Sequence, residues 1–102
     1  MKIVKVTYTT RPEFTAQNSA NIQKVMAELQ ALHHPGINYH ACLCADNKTF
    51  IHTAFFNADE DQKTFNELPS FKIFQTELKS SVLESPPQPE ILTLVGSSKP
   101  IF

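Results

Sequence analysis

Six patterned segments follow one another in this chain in the order strand, helix, strand, strand, helix, strand, and the strands carry apolar side chains on both faces. Two helices can cover only one face of a four-stranded sheet, so the second face needs a cover of its own. Strand one, Lys2–Thr9, sets Val4, Val6 and Tyr8 against Ile3, Lys5 and Thr7. Strand three, Thr49–Asn57, has Phe50 and Phe56 opposite Ile51 and Phe55, and strand four, Glu90–Val95, has Ile91 and Val95 opposite Leu92 and Leu94. A sheet with one wet face would be polar at every second position, and these strands are not.

The punctuation between strands predicts the helices. Pro12 suits a first helical turn, with Thr10 as a candidate cap. Ile22, Val25, Met26, Leu29 and Leu32 recur at three- and four-residue steps, a stripe that stops at Pro35-Gly36. Strand two, Ile37–Ala45, reaches strand three through Asp46-Asn47-Lys48, hairpin chemistry compatible with a loop of two, three or four residues. Asn57-Ala58-Asp59-Glu60 has the form of a capping box. In the helical region that follows, Phe65, Leu68, Phe71, Phe74 and Leu78 share one side. Pro69 interrupts that region, which predicts a short helix, a break, and a longer helix from about Ser70 to Val82. Pro86-Pro87-Gln88-Pro89 reads as a stiff connector, too short to divide residues 1–102 into two domains.

This order predicts an α+β, ferredoxin-like βαββαβ fold: a four-stranded antiparallel sheet, order 4-1-3-2, with the helices on one face. Leaving the large side chains of the other face in water, at ~1.5–3 kcal/mol each, disfavours a monomer. A homodimer is therefore expected, its two sheets packed face to face through the open side. Pro100-Ile101-Phe102 is an apolar end that either latches onto that partner or frays. A net charge of -1 with scattered lysines leaves no basic stripe for nucleic acid, and no segment suits a membrane span. Met1-Lys2-Ile3-Val4-Lys5 lacks the apolar run of a leader. Cys42 and Cys44, same-strand neighbours roughly 6.5–7 Å apart, stand at the outer limit for a disulfide. A bridge between them is not expected, which makes a reducing cytoplasm the natural compartment.

The element order, His34-Pro35-Gly36-Ile37 at the opening of strand two, and Leu68-Pro69-Ser70-Phe71-Lys72-Ile73-Phe74 in the second helical region carry a resemblance. Over about residues 2–96 the chain resembles the dimeric α+β barrel superfamily, particularly its antibiotic-biosynthesis-type monooxygenase branch. The resemblance implies a small pocket between sheet and helices, lined by side chains from both. It also marks departures. Phe56 stands where those monooxygenases often carry a Trp at the end of strand three. Their frequent His near the second helical region is missing, with Phe65, Asn66 and Phe71 in that stretch. Haem-degrading relatives use a Trp with a His and an Asn, and this chain has no Trp, which counts against haem chemistry.

Two chemical readings compete for the histidines. His40, Cys42 and Cys44 alternate on strand two, with His52 on strand three; if Cys42 lies opposite His52, all four share a face and are zinc ligands in kind. Flat strand positions lack the tight-turn spacing of structural zinc sites, so packed Cys and hydrogen-bonded His are the expectation, without a metal. His52 is alternatively a pocket base among Phe50, Ala54 and Phe56, or simply a satisfied residue lining the barrel. His33 and His34 read as helix-terminal residues at the negative end of the dipole.

Three functions remain open. One is cofactor-independent oxidation of a small aromatic substrate, with His52 or His40 as base, Tyr8 or Tyr39 as hydrogen-bond donor, and Phe56, Phe65 and Phe74 as walls. Another is a non-catalytic binder of a small apolar molecule in the same pocket. The last is a structural dimer with a filled interior. Which face of the sheet receives the histidines decides among them.

Overall fold

The computed structural model describes all 102 residues. Strand β1 (Lys2–Thr9) leads through a 3-10 turn at Pro12–Phe14 into α1 (Thr15–Leu32). Then follow β2 (Ile37–Leu43), β3 (Thr49–Phe56), α2 (Asp59–Asn66), α3 (Pro69–Ser80) and β4 (Ser85–Leu92). The strands form one antiparallel sheet in the order β2-β3-β1-β4, the expected ferredoxin-like arrangement.

The turn between β2 and β3 determines the register. Cys44 N–H donates to the Thr49 carbonyl at 2.8 Å, closing the four-residue loop Ala45–Lys48. Asp46 Oδ1 accepts from the backbone of both Lys48 (3.0 Å) and Thr49 (2.9 Å), and Asn47 takes a left-handed φ of 63°, which Asn tolerates. This loop sets Ala41 opposite His52 and Cys42 opposite Ile51. His52 therefore lies across the sheet from His40, Cys42 and Cys44, and the four never converge as a zinc set.

One face holds Val4, Val6 and Tyr8 of β1, Phe50, His52, Ala54 and Phe56 of β3, and Ile37, Tyr39, Ala41 and Leu43 of β2. The helices pack there. Ile22 and Val25 of α1, Phe65 of α2, and Phe74 and Leu78 of α3 join Tyr8, Phe50, Ala54 and Phe56 in the core. Pro69 opens α3 at its first position, where a missing N–H costs nothing. Glu28 of α1 caps that end, accepting from Ser70 N–H at 3.0 Å.

The other face is more polar than the strand-by-strand pattern implies. Lys5, Thr7, Thr53 and Asn38 stand among Ile3, Ile51, Phe55 and Leu92. Its apolar residues concentrate in the row Leu92–Ile3–Phe55–Asn38, and Ile3 is only 4% exposed. The tail leaves β4 at one sheet edge, yet the Ile101 carbonyl accepts from Asn38 Nδ2 at 2.8 Å at the other. The tail therefore crosses its own sheet along this row, and Ile101 is half-buried.

Two sequence expectations need correction. Pro86-Pro87-Gln88-Pro89 is strand, not connector: β4 runs Ser85–Leu92, with Val6 opposite Pro89 and Thr7 opposite Gln88. β4 is an edge strand, where a proline without an N–H is tolerated. Thr10 does not cap α1; fully buried, its hydroxyl is shared between Thr15 Oγ1 (3.1 Å) and the Lys48 carbonyl (3.3 Å). At the end of α1, His33 takes the left-handed φ of 51° usually filled by glycine. Gly36 is needed for a different reason. A Cβ there would stand 2.3 Å from Asp61 Oδ2, the oxygen that accepts the Ala58 N–H at 2.9 Å and caps α2.

Candidate functional site

A cavity of about 410 Å³ lies between the helix-covered face of the sheet and α2–α3. Val4, Val6, Ala54 and Phe56 form its apolar floor, and Phe65, Phe71, Phe74 and Leu78 its roof. Gln75, Lys79, Pro87 and Pro89 line it and are exposed, which places the mouth between α3 and β4. All four strands and two helices contribute side chains, because the aromatic residues of α2 and α3 recur on the face turned to the sheet.

The polar centre of the floor comes from neighbouring strands. Tyr8 and His52 are two residues out of step on adjacent strands, since Val6 is opposite His52, and Tyr39 is likewise two residues offset because Ala41 is opposite His52. Each tyrosine therefore reaches diagonally to the imidazole between them. Tyr8 Oη lies 2.7 Å from His52 Nε2, and the Tyr39 hydroxyl is bonded to His52 Nδ1. Behind them Asn18 of α1, wholly buried, donates from Nδ2 to Tyr8 Oη at 2.8 Å. Asn18 Oδ1 is buried without a partner.

Every member of this chain is neutral at physiological pH. Burial drives the His52 imidazole down to about 4, because the site cannot solvate an imidazolium. Burial pushes both phenols above the usual tyrosine range; the Asn18 hydrogen bond partly opposes this at Tyr8, and the proximity of Tyr8 adds to it at Tyr39. No carboxylate lines the cavity, and its one cation, Lys79, sits at the mouth. The floor is thus an uncharged hydrogen-bonded chain in an aromatic box, able to orient a ligand and to pass a proton.

Of the residues singled out from sequence, Tyr8, Tyr39, His52, Phe56, Phe65 and Phe74 all line this cavity. His40 does not. It is exposed on the opposite face, edge-on to Phe55 with ring centroids 6.2 Å apart, and has no route to the cavity. Cys42, exposed, and Cys44 are free thiols on that same side. His34 ends α1 as expected, and its Nδ1 accepts the Gly36 N–H at 3.0 Å while Nε2 lies 3.5 Å from Asp61 Oδ1. Sequence reasoning missed Asn18, although stepping back four and seven residues from Ile22 and Val25 lands on it. It also missed the amides Gln62, Asn66 and Gln75, whose polar side chains give no signal of facing a pocket.

No protein-family model matches the chain, and no curated protein matches it in sequence. Solved structures do match it in shape. An antibiotic biosynthesis monooxygenase superposes with a TM-score of 0.78 at 9% identity, over 94% of this chain and all (100%) of that one. Rv0793 from Mycobacterium tuberculosis gives 0.78 at 13% identity, covering 96% of this chain and 98% of its own. A variant of SnoaB, a cofactor-independent oxygenase from Streptomyces nogalater, gives 0.68 at 14%, covering 95% and 96%. The chain therefore has the ferredoxin-like α+β fold of the antibiotic biosynthesis monooxygenase structures, over nearly its whole length.

Proposed function

We propose that this protein binds a small aromatic or apolar molecule in the cavity and oxidises it with molecular oxygen, without a cofactor. The observation that carries the reading is the Tyr8–His52–Tyr39 chain, the polar centre of a floor and roof that are otherwise aromatic and aliphatic, with Gln62, Asn66, Gln75 and Lys79 adding polar groups from the helices. An electron-rich phenol or enol seated there gives up its proton to water at the mouth, and the Tyr39 hydroxyl at the end of the chain holds the oxygen of the resulting anion. The resulting carbanion gives an electron to oxygen, the radical pair closes to a peroxide, and loss of water leaves a carbonyl; a CH2 and O2 become C=O and H2O. Likeness of fold to a structure named as a cofactor-independent oxygenase is consistent with this chemistry.

One observation favours non-catalytic binding instead. Both ring nitrogens of His52 are already engaged, and an imidazole titrating near 4 is a weak base at neutral pH. Oxygen uptake, measured with metal-chelated, flavin-free protein across a panel of enolisable aromatic ketones and hydroxynaphthalenes, separates the two. Protein-dependent uptake that falls at least tenfold in His52→Ala supports the enzyme. Binding without uptake selects the binder, and failure to bind any member of the panel would sink both.

We further propose that two copies pair through the open sheet face, where Ile51 and Phe55 remain half-buried in the single chain, and that the protein works in the cytoplasm, where two free thiols persist. Sedimentation velocity should return the mass of two chains, and Ile51→Lys with Phe55→Glu should return one; a single-chain mass for the unaltered protein overturns the pairing.

A further inference from the structure

We infer that Asn18 is a positioning residue that sets the direction of the hydrogen-bonded chain, so that the cavity floor presents one proton donor, the Tyr39 hydroxyl, and selects ligands carrying a carbonyl or enolate oxygen. This rests on the reading of the cavity as a ligand site. The donor and acceptor inventory leads to it step by step. Asn18 Nδ2 can only donate, so Tyr8 Oη accepts from it at 2.8 Å. Tyr8 is 2% exposed and has one other polar neighbour, His52 Nε2 at 2.7 Å, so its own proton goes there. A neutral imidazole that accepts at Nε2 carries its hydrogen at Nδ1. Nδ1–H then donates to the Tyr39 oxygen, its bonded partner. The Tyr39 proton has no acceptor within the protein and turns into the cavity, which Tyr39 lines.

The consequence is a selectivity that composition alone does not suggest. The walls of this cavity are aromatic and accept any flat apolar body, whereas the floor discriminates. A hydrocarbon leaves the Tyr39 hydroxyl unpaired in a dry site, and a ligand with an acceptor oxygen satisfies it. The same geometry places the ligand oxygen at the end of a chain through which Tyr39, His52 and Tyr8 can exchange protons in concert. Reversing the chain would abolish the donor. An acceptor in place of the Asn18 amide would draw the Tyr8 proton toward α1, place the imidazole hydrogen at Nε2, and turn the Tyr39 proton back onto Nδ1.

The tautomer of His52 is the direct test, because a merely structural asparagine would not move it. In protein labelled with 15N-histidine, with His52 assigned through His52→Gln, the ring-nitrogen shifts at pH 7.5 should show Nδ1 protonated and Nε2 bare. Asn18→Leu should give a mixture of tautomers. Asn18→Asp, recorded above the titration of its carboxyl, should give predominantly Nε2–H. Nε2–H in the unaltered protein, or an unchanged tautomer in a folded Asn18→Leu, overturns the assignment. The ligand class is read separately by comparing 1-tetralone with tetralin, which differ by one carbonyl. The ketone should bind roughly five- to tenfold more tightly, the worth of one neutral hydrogen bond in a dry site, and Tyr39→Phe should erase the difference by weakening only the ketone. Equal affinities in the unaltered protein overturn the selectivity. If neither compound binds, the ligand-site reading fails and the preference for acceptor oxygens fails with it, whereas the tautomer still stands or falls on its own spectrum.

Discussion

Truncating Phe65 to alanine should lower the unfolding free energy by about 3–4 kcal/mol and the melting temperature by roughly 15–25 °C. Phe65 is 4% exposed and joins three elements. Its ring centroid lies 4.8 Å from that of Tyr39 on β2, 5.6 Å from Phe56 on β3 and 4.4 Å from Phe71 on α3. α2 is an eight-residue helix with Phe65 as its one buried residue, so little else holds it to the sheet. Removing the ring forfeits its transfer energy and the aromatic contacts, and it opens a void continuous with the ligand cavity that the surrounding rings cannot close. Phe71, only half-buried, should cost less than half as much when truncated. Chemical denaturation followed by far-ultraviolet circular dichroism measures both. A Phe65→Ala loss below about 1 kcal/mol would mean that the helix does not depend on this anchor.

The parts of this fold that sequence makes legible are those written in local chemistry. The stripe Ile22–Val25–Met26–Leu29 marks α1, and Pro69 marks the break between α2 and α3. The first part of strand β4, Ser85–Pro89, was hidden for the opposite reason, because prolines argue against strand and nothing local reveals that these occupy a sheet edge. The register of the β2–β3 hairpin is a long-range fact resting on a short loop. Asp46-Asn47-Lys48 suits several loop lengths, and one residue of slip moves His52 to the other side of the sheet. With the four-residue loop, Ile37, Tyr39, Ala41 and Leu43 of β2 lie on the same face as the inward His52. The predicted cavity residues Tyr8, Tyr39 and His52 therefore meet, while His40 parts from them. Asn18 was harder to see. A polar residue on a buried helical stripe signals a partner, but the partner is a hydroxyl on β1, ten residues away and in another element.

Acidification should weaken the fold through His52 by about 3 kcal/mol between pH 7 and pH 4, of which about 2 kcal/mol is lost between pH 7 and pH 5. The imidazole titrates near its ordinary 6.5 when the chain is unfolded and near 4 when folded, because burial excludes the charged form. Between those values the unfolded chain binds more protons than the folded one, so stability rises with pH. The contribution is complete above 6.5 and disappears as pH falls through the folded value. Carboxylates elsewhere also titrate toward the lower end of this window, so the clean quantity is a difference. His52→Gln keeps a neutral hydrogen-bonding group and cannot be protonated. Its denaturation free energy should therefore change about 2 kcal/mol less between pH 7 and pH 5 than that of the unaltered protein, even if the variant starts less stable. Parallel pH profiles for the two proteins would show that His52 is solvated or charged in the folded state. In that case its bonds to Tyr8 and Tyr39 would not form the neutral chain on which the ligand site depends.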